Sequence, residues 1–429
     1  MAGVQDGGTG NVLSSRMTKK LFDEVSEDIF REFRKLPADE GWELLMQVRN
    51  TLEQEITTEQ RFQSEFKALQ EDLLRSATPV ELAQLHKRLV GVVTAFFSRR
   101  ESVSALHALC TTVLDMTVGQ ALRIAEDELK AEGLEASYAY AWLVLGATGR
   151  REATFSMQLE SLLVHEPGED AAAYCARVAT RGTAILAQCG IEGSERGIMP
   201  DLPAWCASLE EWEVRLEELC RRSGRRVGVS ARSGLRLGDF FSSKANLSTP
   251  LFELADLRVA AGNHELGGEL LHLVRVVAQR HPACIMEAAQ TVSSLPAPFN
   301  FFGKYRVERS GPHRGRVDLN RWACFPLIAM VRLQAVTGGV VQTGTLERIK
   351  LLLRQGALDV ALGQRLLMAG GLIFRLKTQL EAREQAGVGD GVWLSPESLT
   401  PQEDRALREA LESVSTLQKV IHSSLAQQV

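Results

Sequence analysis

The stretch YAYAWLVLGATGRREATFSMQLESLLVHE, from Tyr138 to Glu166, decides the fold of this chain. Tyr140–Leu145 is a short, aromatic, apolar run that ends at a glycine, which is typical of a buried strand. A second apolar run, Leu159–Val164, follows and predicts another strand. Between the two runs, the sequence predicts a glycine turn and then a short helix over Arg150–Phe155. The predicted order is therefore strand, turn, helix, strand.

The glycine turn has two interpretations. Gly146 and Gly149 let the backbone turn tightly and approach a ligand closely. The N–H groups at the start of the following helix, together with the Arg150 guanidinium, are suited to binding phosphate. Alternatively, the glycines form a tight left-handed turn and Arg150 is solvated. The turn by itself leaves both interpretations open.

Composition excludes several classes of protein. The 429 residues are too many for one ordinary core, so two or three domains are expected. A net charge of −5 gives no general attraction to nucleic acid. The 7 cysteines lack zinc-ligand spacing, the N-terminus lacks a signal-peptide pattern, and no apolar run reaches membrane-spanning length. These features predict a reduced, cytoplasmic protein that binds neither nucleic acid nor a membrane.

Helical patterns occupy the chain on both sides of the glycine turn. Before the turn, apolar residues recur at steps of three and four over 21–36, 40–52, 57–75, 79–97 and 103–132, with Thr78 as an N-cap. His86 and His107 lie on these helices, and packing or solvent exposure explains both. After the turn, helices are predicted over 170–188, 208–220, 265–280 and 346–354, the last capped by Thr345. A capping box at Thr400–Glu403 opens a final helix.

Three polar features after the turn leave their role open. A Gly- and Ser-rich segment carries six arginines, which form either a solvated loop or a clamp for phosphate: Arg221, Arg222, Arg225, Arg226, Arg232 and Arg236. Leu251–Val259 reads as a strand with Asp256 and Arg258 on one face. These two side chains either pair with each other or belong to a site. A small hairpin is predicted around Gly311.

A family resemblance follows from several stretches taken in order. LGATGRREATFSMQLESLLVHE resembles the nucleotidyltransferase motif of the protein-PII uridylyltransferase relatives, in which a Gly-Ser-x-Gly-Arg-x-Glu turn leads to a strand carrying Asp-x-Asp. Further stretches resemble nucleotidyltransferases that add a helical substrate-binding domain at the C-terminus: GIMPDLPAWCASLEEW, ELADLRVAAGNHEL, FNFFGKYRVERSGPHRGRVDLNRWACFPLIAMVRL, TLERI, FRLKTQLEAREQ and LSPESLTPQEDRALREAL. The resemblance covers roughly residues 76–429.

The resemblance implies an α+β fold. A small mixed-sheet, polymerase-β-like nucleotidyltransferase domain over 135–290 is expected between an N-terminal helical region over 17–134 and a helical substrate-binding domain over 291–429. Residues 1–16 are expected to be a disordered tail. The strands over 140–145, 159–164 and 251–259 should be neighbours in one sheet with helices on one face. Asp256 should then lie within about 12 Å of Glu160, the reach of a shared metal cluster.

The resemblance also implies a chemistry and the residues for it. The activity would be transfer of a nucleoside monophosphate from a nucleoside triphosphate to a protein or small-molecule acceptor, with Mg²⁺ or Mn²⁺. Phosphate binding would fall to Gly146, Ala147, Gly149, Arg150 and Glu152. Metal binding would fall to Gln158, Glu160 and Asp256, of which Glu160 and Asp256 are catalytic. Arg258 and Asp318 would contact the acceptor, although Asp318 is equally explained as a residue at a helix N-terminus.

The sequence departs from the family pattern at the metal site. Ala147 stands where the motif has serine, and Gln158 and Glu160 stand where it has two aspartates. A neutral amide is a poor ligand for magnesium, so we expect weak activity or none. Three functions stay open: an active transferase with an altered metal site, a pseudoenzyme that binds nucleotide or a partner and signals through its helices, and a helical interaction scaffold.

Overall fold

A computed structural model describes residues 38–134, 138–155, 158–194, 196–226 and 250–426. The chain divides into two compact units, Met1–Lys67 and Ala68–Val429. The predicted tail, the predicted helix over 21–36, and Arg232 and Arg236 of the arginine-rich segment lie outside the described residues. One continuous helix, α1 (Ala38–Arg75), replaces the two helices that were predicted over 40–75. The domain boundaries given above stay predictions.

Two further helices precede the glycine turn. Helix α2 (Pro79–Arg100) begins where predicted, because the Thr78 hydroxyl accepts a hydrogen bond from the Glu81 amide at 3.3 Å. Proline at the first helical position needs no N–H partner there. Helix α3 (Val103–Ala131) matches its predicted range to within a residue.

A four-stranded mixed sheet forms the centre of the second unit. Its strands are β1 (Tyr140–Val144), β3 (Ser161–His165), β5 (Cys206–Ser208) and β6 (Arg258–Gly262), in the order β5-β3-β1-β6. Strand β1 pairs antiparallel with β3 and β6, whereas β3 runs parallel to β5. The predicted pairing of the first two strands is confirmed, and β6, which overlaps the third predicted strand only at Arg258 and Val259, lies on the other side of β1. The short strand β5 was not predicted. A separate parallel pair joins β2 (Gln158–Leu159) to β4 (Glu192–Gly193).

Helices cover both faces of the sheet, so the expectation of helices on one face is wrong. Every residue of β1 is buried. Leu143 shares a core with Leu270 of helix α8 (His264–Arg280). On the other face, α5 (Glu169–Gln188) packs so closely at Gly182 that a Cβ there would lie 3.6 Å from the Trp142 ring. A strand with two buried faces reads as a continuous apolar run, as this one does.

Two local predictions around the glycine turn are wrong. The helical turn is α4 (Gly146–Gly149) itself, and no helix occupies Arg150–Phe155. The segment predicted as a strand over 251–259 begins instead as α7 (Pro250–Glu253) and a 3₁₀ turn (Leu254–Asp256), with the strand starting only at Arg258. Alternation of polar and apolar residues over so short a segment does not distinguish a strand from two short helical turns.

Helices dominate the rest of the described chain. They are α6 (Leu209–Arg226), α9 (Pro282–Ser293), α10 (Phe325–Thr337), α11 (Thr345–Arg354), α12 (Val360–Gln385) and α13 (Pro401–Ala426). A π-helical turn (Asn320–Cys324) opens α10, and β7 (Val317–Asp318) pairs antiparallel with β8 (Trp393–Leu394). Leu327, Leu366, Ile373 and Leu407 lie in the apolar core that these C-terminal helices share. None of the described helices is long and apolar enough to cross a membrane.

The predicted caps and the hairpin have mixed outcomes. The capping box is confirmed, because Thr400 and Glu403 exchange hydrogen bonds through their amides and side chains. Thr345 does not cap α11: Gly344 occupies the N-cap, and the Thr345 hydroxyl is buried without a hydrogen-bond partner among the described residues. Around Gly311, the backbone of Glu308 bonds to Gly315 and Arg316, which forms a turn without assigned strands.

Candidate functional site

A cleft of about 530 Å³ lies between the sheet and the C-terminal helices. Its volume is within the range of small-molecule sites, which is about 300–1,000 Å³. Seven of the predicted site residues line it: Gly146, Ala147, Arg150, Glu152, Gln158, Glu160 and Asp318. The C-terminal region contributes Phe325, Arg332, Phe374, Lys377 and Glu381, among others. The C-terminal helices therefore border the predicted site, as expected.

The glycines of α4 are required for different reasons. Gly146 has a φ of +64°, which favours glycine. A Cβ at Gly146 would lie 2.8 Å from Glu160 Oε2, so the turn touches that carboxylate directly. At Gly149 a Cβ would lie 2.2 Å from the Asp256 carbonyl oxygen. The turn is thus packed between Glu160, which joins β2 to β3, and the Asp256 backbone that leads into β6.

Arg150 is buried, so the interpretation of a solvated arginine is wrong. Its Nε donates to Glu152 Oε2 at 2.8 Å, and one terminal nitrogen donates to Asp256 Oδ2 at 2.8 Å. Glu152 in turn accepts from the Thr345 amide at the start of α11. Arg150 therefore joins the glycine turn to the C-terminal helices while lining the cleft.

Asp256 is enclosed by three arginines and has no exposed surface. Arg332 Nε donates to it at 3.1 Å and Arg348 at 2.6 Å, in addition to Arg150. Burial opposes ionisation of Asp256, but the Arg332, Arg150 and Arg348 charges outweigh it and hold the pKa of this carboxyl below its ordinary value. With Glu152 the cluster has three guanidiniums and two carboxylates, so one positive charge is in excess, and Arg150 and Arg332 face the cleft.

Glu160 lies at the glycine turn and is paired there with the Arg196 guanidinium. Glu160 Oε1 accepts from the Ser194 hydroxyl at 2.9 Å and lies 3.3 Å from Arg196. Arg196 also forms a salt bridge with Glu253, so its guanidinium bridges two carboxylates that both line the cleft. The amide side chain of Gln158 is exposed beside them.

The donor set does not fit a two-metal centre. Magnesium prefers several charged oxygen ligands, whereas Gln158 is neutral, Asp256 is saturated by arginines and Glu160 is shared with Arg196. Within the described residues, no group of three or more His, Cys, Asp or Glu side chains could hold a metal ion. The metal-binding roles of Gln158, Glu160 and Asp256 stay predictions.

The two predicted acceptor residues have structural partners. Arg258 forms a bidentate pair with Asp115 of α3, at 2.7 and 2.8 Å, and donates to the Thr148 carbonyl. Arg258 pairs with Asp115 rather than with Asp256. Asp256 lies in the 3₁₀ turn before β6, so Asp256 and Arg258 do not share a strand face. Asp318 lines the cleft, and its Oδ1 accepts from the Arg321 amide at 3.0 Å, as a helix-capping side chain does. Their roles in acceptor binding stay predictions.

The C-terminal helices supply cleft residues that were not predicted from the sequence. Arg332 and Arg348 complete the cluster around Asp256, and Lys377 and Glu381 line the cleft from α12. Arg332 offered a signal, because it interrupts the otherwise apolar run FPLIAMVRL. His107, which was explained by packing or solvent, also lines the cleft. Burial lowers its pKa from 6.5 to about 4, so the imidazole is neutral at pH 7.

Comparison with known families agrees with this geometry. Residues 87–226 match the family described as "Putative nucleotidyltransferase DUF294", and residues 282–425 match the "Putative nucleotidyltransferase substrate binding domain". Two regions of the chain therefore match the two domains of a nucleotidyltransferase family, the second of them a substrate-binding domain. No curated protein matches the chain. The cleft lies where the two matched regions meet, because Gly146 and Glu160 belong to the first and Arg332 and Glu381 to the second.

Proposed function

We propose that this chain binds a nucleoside triphosphate in the cleft without requiring a divalent cation, and that it is a catalytically impaired relative of the uridylyltransferase-like enzymes. The observation that carries the proposal is the state of Asp256. A carboxylate held by three guanidiniums has its lone pairs occupied and its charge neutralised. Freeing it for a metal would leave three buried arginines without their partner, which is costly.

The charges at the arginine-cluster end of the cleft support binding of an anion there. The cluster of Asp256, Glu152 and the three arginines has one positive charge in excess, and two of the arginines line the cleft. At the glycine turn, Arg196 supplies the positive charge that a metal would supply to Glu160 and Glu253. A polyphosphate can therefore be attracted by fixed guanidiniums, which are suited to phosphate geometry.

The test is calorimetric binding of each of the four nucleoside triphosphates, in EDTA and in Mg²⁺ or Mn²⁺. We expect at least one triphosphate to bind in EDTA, with an affinity that the metal changes by less than about tenfold, the loss typical of removing a metal-site interaction. Binding that appears only with the metal would contradict the proposal. Inorganic sulfate serves as a control for general attraction of anions.

The second candidate is a weak transferase that acts on a protein or small-molecule acceptor. It is favoured by Glu160 and Glu253, two carboxylates that both line the cleft at the glycine turn. Gln158→Asp combined with Ala147→Ser would restore the charge and the hydroxyl of the family motif. If this candidate is correct, the unmodified chain releases pyrophosphate with Mn²⁺, and the double variant does so at least about tenfold faster. If neither protein releases pyrophosphate, the result favours the pseudoenzyme, which would act by binding a nucleotide or a signalling partner.

A further inference from the structure

The α12 end of the cleft has a different chemistry from the arginine cluster. Lys377 and Glu381 lie one helical turn apart and both line the cleft. The Lys377 ammonium donates to Glu381 Oε1 at 2.6 Å. Glu381 is 5% exposed, and its other oxygen, Oε2, is buried and accepts no hydrogen bond from any residue that the structure describes. Buried carboxylate oxygens without a donor are rare in folded proteins.

The surroundings of this pair suit an uncharged ring. The His107 and Phe374 rings pack edge to face with their centroids 5.8 Å apart. Cys324 lines the same cleft, and burial raises the pKa of its thiol to about 12, so the thiol is neutral. The Lys377–Glu381 pair has no net charge, and the neutral imidazole, the phenyl ring and the thiol add none, so these side chains do not attract phosphate. The α12 end is therefore suited to the base of a nucleotide rather than to its phosphates.

We propose that Lys377 and Glu381 read the edge of a guanine base. This inference rests on the proposed nucleotide binding and names the nucleotide. In order, the pair presents a donor, the Lys377 ammonium, and two acceptors, Oε1 and Oε2 of Glu381. Guanine presents an acceptor, O6, followed by two donors, the ring N1–H and the exocyclic amino group. The free Oε2 then receives its hydrogen bond from the amino group.

The other bases match this pattern less well. Uracil places a carbonyl oxygen opposite Oε2, so two acceptors would face each other. Adenine and cytosine place an amino group opposite the Lys377 ammonium, so two donors would face each other. A site built to bind one pattern of donors and acceptors rejects the others because buried polar groups are left without partners.

The test compares affinities of GTP, ITP, UTP and ATP by calorimetry in metal-free buffer. ITP differs from GTP only in lacking the exocyclic amino group. We expect GTP to bind at least about tenfold more tightly than ITP, because one hydrogen bond to a charged oxygen is lost. Glu381→Ala should weaken binding of both GTP and ITP, because Oε1 accepts from the N1–H that the two bases share, and it should abolish the difference between them. Glu397→Ala, which removes an exposed carboxylate outside the cleft, is the matched control.

The outcomes separate this inference from the proposed function. Equal affinities for GTP and ITP, or tighter binding of UTP, overturn guanine reading while nucleotide binding stands. Binding of none of the four triphosphates overturns both. If Glu381→Ala does not fold, the comparison of GTP with ITP on the unmodified chain still decides.

Discussion

The Asp256 carboxylate is fully enclosed and accepts hydrogen bonds from Arg150, Arg332 and Arg348. Removing one partner of a buried ion pair costs about 3–5 kcal/mol, because the charges left behind have no compensation. We therefore expect Asp256→Asn to lower the free energy of unfolding by about this amount, measured by urea denaturation.

A surface carboxylate provides the control for this prediction. Asp390 pairs with Arg316, and both side chains are more than a third exposed. Such pairs contribute at most about 1 kcal/mol, so Asp390→Asn should change stability little. If Asp256→Asn is equally mild, the carboxylate is not held by the cluster and is available to a metal.

Gly149 is a second residue whose identity is fixed by its surroundings, because neighbouring backbone atoms leave no room for a side chain. An added Cβ would meet the Asp256 carbonyl oxygen at 2.2 Å and the Val144 carbonyl oxygen at 2.8 Å, both of them backbone atoms. Gly149→Ala must therefore displace the turn or β1, and forced fits of this kind cost about 1–3 kcal/mol or more. Thermal unfolding measures the loss.

Gly91 in α2 is the matched control, since no neighbouring atom in the described part of the chain lies within 4 Å of its added Cβ. Gly91→Ala should stabilise the protein by about 0.5–1 kcal/mol, the helix preference for alanine over glycine. Equal effects at the two glycines would contradict the close packing of the turn.

At the scale of elements, the segment after β4 brings a cation to the glycine turn. Arg196 bridges Glu160 and Glu253. Arg196→Ala leaves two carboxylates beside each other without a positive charge. Neighbouring carboxylates without a positive partner are good ligands for divalent cations. We therefore expect the variant to bind Mn²⁺ at least about tenfold more tightly than the unmodified chain. Electron paramagnetic resonance of free Mn²⁺ measures the difference.

Arg316→Ala is the control for Mn²⁺ binding, because Arg316 pairs with Asp390 and does not line the cleft. It should leave Mn²⁺ affinity unchanged. An Arg196→Ala variant with no gain in Mn²⁺ affinity would mean that Glu160 and Glu253 are too far apart to share an ion.

The π-helical turn Asn320–Cys324 is the other element that shapes the cleft. Turns of this type are often found at functional sites. Its residues Asn320, Arg321 and Cys324 line the cleft, and the Arg321 amide donates to Asp318 Oδ1 just before the turn. The wider turn therefore brings side chains from the start of α10 to the cleft wall.

At the scale of the whole molecule, the buried His86 and the half-buried His107 make stability depend on pH. Burial lowers the pKa of His86 and of His107 from 6.5 to about 4. Between these values the unfolded chain binds protons that the folded chain does not, so the free energy of unfolding falls as pH decreases from 6.5 to 4. Each such histidine contributes at most about 1.4 kcal/mol per pH unit. Urea denaturation across this range measures the slope.

His86→Gln should make this pH dependence shallower, because one of the two titrating groups is removed. His86 is 2% exposed and its Nδ1 lies 2.9 Å from the Thr117 hydroxyl, so glutamine can keep a polar contact there. His422 is exposed, and His422→Gln should leave the slope unchanged. An unchanged slope in the His86 variant would show that its pKa is close to that of the unfolded chain.

The sequence by itself determined the elements whose signals are local. The apolar runs of β1 and β3, the turn between them, and the helix ends at Thr78 and Thr400 follow from neighbouring residues, so their positions could be predicted. The resemblance likewise identified most of the residues on one side of the cleft. Caps, turns and apolar periodicity act over a few residues, and the chain shows them directly.

Only the tertiary structure decided the state of the candidate site. The arginines that hold Asp256 lie 76, 92 and 106 residues away along the chain, and the Lys377–Glu381 pair approaches from α12. The same contacts replaced the predicted strand before Arg258 by two short turns. A buried charge is stabilised by whatever opposite charge lies within a few ångströms, and spacing in sequence does not give that distance.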